Sequence, residues 1–197
     1  MVTRPIGVLA LQGAYARHQA VLDRLGQASR RVRTPSDLEG LQGLIIPGGE
    51  STTLSRLLDA NGLWQPLREF ARHHGVMGTC AGLIMMAETV DDSRVTPLGL
   101  LPLAVVRNHY GRQVHSFRTR VDLALPEPRP FEAVFIRAPR ISRHAPELEV
   151  LGRLGEDPIL VRTGNHLGLS FHPELTTDPA VHRFWIDHCL APARACA

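Results

Sequence analysis

Short apolar runs alternate with amphipathic stretches along the first half of the chain. Ile6–Leu11 reads as a buried strand. Ala14–Leu25 places Ala14, Val21, Leu22 and Leu25 at helical spacing. Leu44–Pro47 is a second short strand that runs into Gly48-Gly49. Ser51-Thr52-Thr53 opens a helix, with Ser or Thr as the expected N-cap. Trp64–His73 reads as a helix, Val76–Thr79 as a strand and Ala81–Glu88 as a helix directly after it. From about Leu100 the texture changes. Leu103–Arg107, Phe117–Leu123, Ala133–Ile136, Glu149–Arg153, Ile159–Arg162 and Leu167–Phe171 read as strands separated by turns. Pro126, Pro128 and Pro130 mark an irregular stretch, and Asp178–Leu190 is a final helix. Alternating strands and helices predict a parallel sheet covered on both faces. The expected architecture is a doubly wound α/β sandwich with an added antiparallel section. No repeat or linker divides it, so residues 1–190 are expected to form one domain and 191–197 a flexible tail.

Composition narrows the classes. The 197 residues suit one sizeable core, and 44% apolar with 21% charged residues is ordinary for a globular protein. The net charge is only +3, and the arginines are scattered, the densest stretch being Arg30, Arg31 and Arg33. Nucleic-acid binding would need a clustered basic face. No apolar run approaches the roughly 18 residues of a membrane span. Ile6–Leu11 is too short for a signal peptide and ends at Gln12-Gly13, so a cytoplasmic protein is expected. Cys80, Cys189 and Cys196 form no disulfide framework. No Cys/His cluster has metal-ligand spacing, and His73-His74 reads as solvated helix surface, so neither a metal nor a cofactor is expected. All 22 basic residues are arginine. A chain without lysine cannot form a Schiff base through a lysine side chain, nor use a P-loop lysine.

Three short segments carry chemistry. Gly78-Thr79-Cys80-Ala81-Gly82 is a thiol version of the G-x-S-x-G nucleophile elbow, between a predicted strand and helix. Its glycines permit a sharp turn, the helix start favours thiolate, and the Ala81 amide points where an oxyanion would form. Taken alone it is equally readable as a small buried cysteine in a Gly-rich turn. Pro47-Gly48-Gly49-Glu50-Ser51 also lies at the carboxyl end of a predicted parallel strand, where open α/β sheets bind ligands. The two glycines let the backbone flip, and the Gly49 amide is a candidate second oxyanion donor. By itself the segment is an ordinary strand-to-helix turn. In Leu169-Ser170-Phe171-His172-Pro173-Glu174, His172 and Glu174 stand two apart. An extended chain points such residues the same way with Cα atoms roughly 6.5 Å apart. By itself this is a common surface turn. Together the three segments supply a nucleophile, a base oriented by an acid, and oxyanion donors, the constellation for acyl transfer. The order Cys, His, Glu disfavours an α/β-hydrolase, whose acid precedes its histidine.

These residues resemble class I, triad-type glutamine amidotransferases. More narrowly, the chain resembles the glutaminase-subunit family of pyridoxal 5'-phosphate synthases. The matching stretches are Gly7–Gly13, Pro47–Thr53, Gly78–Gly82, Arg107-Asn108 with Gly111-Arg112-Gln113, Phe135–Pro139 and Ser170–Leu175. PGGESTT and FIRAP are specific to that subfamily, whereas GxCxG is widely shared. His109 after Asn108 and the short tail depart from its pattern.

The resemblance implies a flavodoxin-like three-layer sandwich and a Cys80–His172–Glu174 triad that hydrolyses glutamine. It implies glutamine held by Gly49, Glu50, Ser51, Arg107, Ile136 and Arg137. An arginine such as Arg107 or Arg137 would meet the α-carboxylate and Glu50 the α-ammonium group. Ammonia would pass to a barrel-shaped synthase subunit in a large heteromeric complex, which joins it to a pentose and a triose phosphate. The missing lysine agrees, because that imine chemistry must occur on another polypeptide. Readings from other classes are an amidotransferase for another acceptor, a cysteine peptidase of similar fold, and an inactive subunit that only binds its partner.

Overall fold

Leu44 and Ile46 pack with one apolar cluster and Ile45 with another, so this three-residue run is buried on both sides. The computed structural model describes residues 4–107 and 116–190. Its first half is β1 (Ile6–Leu9), α1 (Tyr15–Arg24), β2 (Ser29–Val32), β3 (Gly43–Ile46), α2 (Ser51–Ala60), α3 (Trp64–His73), β4 (Gly75–Thr79) and α4 (Ala81–Met86). There follow β5 (Ala87–Val90), β6 (Leu101–Val106), β7 (Phe117–Leu123), β8 (Arg129–Phe135) and β9 (Arg140–His144). The chain then adds β10 (Glu149–Leu154), β11 (Asp157–Thr163), β12 (His166–Leu169) and α5 (Ala180–Cys189).

Nine strands form one sheet in the order β2-β1-β3-β4-β12-β11-β10-β7-β8. The five from β2 to β12 run parallel, and the four beyond them alternate antiparallel. The order 2-1-3-4 is the doubly wound, flavodoxin-like arrangement, as the sequence predicts. One cluster joins Leu44 and Ile46 to α2, α3 and α4. The other joins Ile6, Val8, Ile45 and Met77 to Leu22 of α1 and Trp185 of α5. Strands β5, β6 and β9 make a separate small sheet. No helix among the described residues is long and apolar enough to cross a membrane.

The structure departs from the predicted elements in several places. Strand β2 occupies the basic Ser29–Val32 stretch, an edge strand whose Arg30 and Arg31 face solvent. The predicted helix Ala81–Glu88 stops at Met86, because Ala87 is extended and starts β5 beside β6. Strand β9, not foreseen, pairs with β6. The proline-rich stretch is the β7–β8 connection, and Pro130 itself lies in edge strand β8. Asn108, His109, Gly111, Arg112, Gln113, Cys196 and the 191–197 tail lie outside the described residues.

Candidate active site

Cys80 sits between β4 and α4 with φ 51° and ψ −104°. A non-glycine residue in that region is strained, and such strain collects at functional sites. The only other described non-glycine residue with positive φ is Arg137, at 44°, and it lines the same cavity as Cys80. The flanking glycines are required by packing. A Cβ at Gly78 would lie 2.6 Å from the Gly82 backbone, and one at Gly82 would lie 2.0 Å from the Ile46 carbonyl oxygen. Strands β3 and β4 and helix α4 therefore approach as only glycine allows. The first helical bond, Ile84 N–H to the Cys80 carbonyl, leaves the Ala81 amide among the unpaired donors of the helix start.

His172 follows β12 and is anchored by its own N–H, which donates to the Val134 carbonyl of β8 at 2.9 Å. The segment is not the extended chain the sequence suggests. His172 caps a 3-10 turn, Pro173–Leu175, and this turn folds Glu174 back under the ring. His172 Nδ1 and Glu174 Oε1 are 2.7 Å apart, and Glu174 is 4% exposed. Burial disfavours the His172 imidazolium, but the hydrogen bonds and charges of Cys80 and Glu174 outweigh it and lift the ring to about 10. Burial likewise pushes Glu174 up. The neighbouring His18 and the His172 hydrogen bond overcome this and bring it down to about 2.

Cys80 and His172 line one cavity of about 130 Å³ together with Gly49, Glu50, Ser51, Ile84, Arg107, Ile136 and Arg137. Every residue the sequence assigns to the triad, the oxyanion hole or glutamine lines this cavity, except Glu174, which stands behind His172, and Ala81, which stands at the helix start. The Cys80 thiol lies 3.8 Å from the Ile136 carbonyl oxygen. The Ser51 hydroxyl is buried and has no partner among the described residues. Arg107 bonds to Glu50 at 3.0 Å and also to Asp92.

Glu50, not Ser or Thr, caps α2. Its carboxylate accepts from the amides and hydroxyls of Thr52 and Thr53. Burial pushes Glu50 up, but these donors prevail and bring it down to about 2.

Four residues of the site were missed by the sequence reading. Gln12 clamps the donor loop, accepting from the Glu50 amide at 3.2 Å and donating to the Glu50 carbonyl at 3.3 Å. Thr79 accepts from the Gly48 amide at 3.1 Å. His18 and His182 are fully buried behind Glu174. His18 did leave a signal, since it shares the buried face of α1 with Val21 and Leu22.

A doubly wound sheet with a strained cysteine, a histidine and a carboxylate gathered at its strand ends is the arrangement of a glutamine amidotransferase. The chain belongs to the SNO glutamine amidotransferase family, whose profile matches residues 8–191. It is 50% identical over 187 residues to the pyridoxal 5'-phosphate synthase subunit PdxT of Deinococcus radiodurans, covering 92% of this chain and 95% of the relative. It is 47% identical over 185 residues to the PdxT subunit of Thermus thermophilus, covering 92% and 96%. A crystal structure described as a glutamine amidotransferase superposes with TM-score 0.87 at 44% identity, covering 93% of this chain and 98% of that one. The structure of PurLQS from Thermotoga maritima matches with TM-score 0.69 at 17% identity, covering 94% of this chain and 99% of that one, a likeness of fold alone.

Proposed function

We infer that this chain is the glutaminase subunit of a pyridoxal 5'-phosphate synthase, releasing ammonia from glutamine for a synthase partner. The observation that carries the reading is the strained Cys80 facing His172, with Glu174 2.7 Å behind it, in a cavity that fits one small polar molecule. The family and the two PdxT relatives support the partner and the pathway. Residues 1–190 act as one amidotransferase domain in this reading, which keeps the cytoplasmic location expected from the sequence.

The geometry suggests the following steps. His172 takes the thiol proton, and the Cys80 sulfur attacks the side-chain carboxamide carbon of glutamine. The carbonyl oxygen becomes an oxyanion facing the Ala81 amide, joined by the Gly49 amide once the Gly48–Gly49 peptide is turned toward it. His172 gives its proton to the amide nitrogen, the C–N bond breaks and ammonia leaves. Water, deprotonated by His172, then attacks the thioester; the C–S bond breaks, glutamate departs and the thiol is restored. Glu174 holds the ring and stabilises its charged form throughout. Glu50, Ser51, Arg107, Ile136 and Arg137 hold the substrate, with Arg107 or Arg137 on its α-carboxylate. Glu50, as the cap of α2, is already engaged, so its approach to the α-ammonium group comes from its exposed edge.

The test follows the amide nitrogen. Glutamine labelled at that atom is supplied to the chain together with a synthase subunit, and pyridoxal phosphate is recovered. Label in the product, lost with Cys80→Ala, is the expected result. Glutaminase activity that survives Cys80→Ala, or product that never carries the label, refutes the assignment.

A further inference from the structure

Behind the proposed triad lies a buried polar network that the mechanism above does not use. His18 Nε2 is 3.5 Å from Glu174 Oε2 and 3.3 Å from Thr79 Oγ1, and His18 Nδ1 is 2.9 Å from His182 Nε2. Thr79 in turn accepts from the Gly48 amide at 3.1 Å. Both imidazoles are fully buried, and burial drives both below their ordinary range, so both are neutral.

Neutral rings allow two sets of protons, and the unpartnered atoms choose between them. Glu174 Oε2 can only accept and has no hydrogen-bond partner among the described residues, so the orphaned oxygen favours a His18 proton on Nε2, on the side of Glu174 and Thr79. Its Nδ1 is then a lone pair, and His182 Nε2 must donate to it. This leaves His182 Nδ1 as a bare acceptor, and it is an atom with no partner among the described residues. The opposite assignment would let the Thr79 hydroxyl donate to His18, but it would bury an unpaired N–H at His182 and aim a lone pair of His18 at the unpartnered carboxylate oxygen, two costs against one gain. His182 thus fixes the tautomer of His18, as an outer partner fixes the tautomer of a metal-bound histidine.

We propose that His18, aimed by His182, is a positioning residue that holds Glu174 and, through Thr79, the Gly48–Gly49 loop in one register with Cys80. Acid and oxyanion loop come from different ends of the chain, and these contacts form a buried polar link between them. The charged and titratable groups facing His18 are Glu174, His172 and His182, and Arg24 acts on His182 through space. The inference rests on the amidase reading, and its test keeps the two apart.

The full chain is assayed with its synthase partner for kcat and KM, and the His172 ring is titrated by NMR independently of any turnover. Thr79→Val, which removes only the hydroxyl, lowers kcat about tenfold with KM unchanged, the worth of one buried hydrogen bond. Thr79→Ser restores kcat to within about twofold. His18→Leu combined with Thr79→Val is no worse than the more damaged single change, because both break one unit. The His172 midpoint in His18→Leu falls by about half a unit or more, because the carboxylate that supports the ring is less well held. Should His18→Leu not fold, the Thr79 pair decides. Losses in kcat below about threefold for Thr79→Val, additive losses in the double change, or an unmoved His172 midpoint in folded His18→Leu overturn the proposal. A wild-type chain that releases no ammonia would count against the amidase reading, while the His172 titration would still judge the coupling.

Discussion

A methyl group added at Gly48 would stand 2.3 Å from Cε1 of His172 and 3.3 Å from Cβ of Cys80. The donor loop and the base thus occupy adjoining space, and the absent side chain at Gly48 is where the His172 ring fits. Gly48→Ala should push the imidazole aside while leaving the fold intact. A displacement near 1 Å at a reacting group costs on the order of a hundredfold in rate. Glutaminase kcat should fall by that order, with thermal unfolding little changed. Near-normal turnover in Gly48→Ala would show that His172 has room to move without consequence.

The strain at Cys80 makes a second, separable prediction. Replacing the thiol removes activity whichever residue takes its place. The replacements should differ in stability, however. At φ 51° alanine keeps the steric conflict, whereas glycine relieves it. Strain of this kind is worth about 1–3 kcal/mol, and glycine loses back up to about 1 kcal/mol through chain entropy. Cys80→Gly should therefore unfold at a higher temperature than Cys80→Ala, by roughly 1 kcal/mol. Cys189 is buried, and burial pushes its thiol up to about 11, so Cys189→Ala should retain full activity.

His172 and Glu174 should fail unequally. His172 moves the proton, so His172→Ala should lose nearly all turnover. Glu174→Gln keeps a hydrogen-bonding group behind the ring but removes its charge. It should retain about a hundred times the activity of His172→Ala, as orienting acids do in related triads. Steady-state kcat at fixed pH decides this, and equal, negligible losses in both would sink the assigned roles.

Much of this site is legible in the sequence because its parts are local. The elbow is five consecutive residues, the donor loop another five, and the acid stands two residues after the base. Parallel-strand burial is also local, since Leu44–Ile46 needs no partner to be recognised as apolar. What pattern reading misses depends on distant neighbours. Strand β2 is only a dense basic stretch until β1 pairs with it, and Ala87-Glu88 reads as the end of a helix until β6 lies alongside. Glu50 becomes the cap because the Gln12 clamp turns the loop before Ser51. His18 and His182 are separated by 164 positions, so no spacing rule joins them.

Stability should fall toward both acid and alkali, for different reasons. His182 is brought down to about 3 by burial, so the unfolded chain binds its proton first. A depressed histidine contributes stability above its unfolded value near 6.5 and loses it as the pH falls toward 3. Glu174, down to about 2, adds a second loss below about 4.5. His172 has the opposite sign. Lifted to about 10, it contributes stability that is complete below about 6.5 and drains away as the pH rises to 10. Denaturant midpoints should peak near pH 6 to 7, and the acid loss should amount to a few kcal/mol by about pH 3. His182→Leu should flatten the first acid step. A midpoint flat from pH 4 to 7 would mean that His182 is not held neutral.

The last prediction concerns control by the partner. A free glutaminase wastes glutamine, so the site should be poorly competent until the synthase docks. The Gly48 carbonyl accepts from the Ala14 amide at 3.3 Å, which turns the Gly49 N–H to the opposite side of that peptide. One backbone bond of this length is a light restraint, and neither glycine adds a side chain that resists rotation. Docking that reorients the peptide would set the Gly49 amide beside Ala81 as an oxyanion donor. One such donor is worth about a hundred- to a thousandfold in rate. The docked chain should therefore turn over glutamine at least tens of times faster than the isolated chain, mainly through kcat. Gly49→Val should suppress the activated rate, because its Cβ would lie 2.4 Å from the Gln12 side chain that clamps the loop. Cys80 should still react with small alkylating agents in that variant. Turnover at saturating glutamine, measured with and without the synthase, decides the matter. Equal rates would exclude gating by this peptide while leaving the amidase chemistry in place.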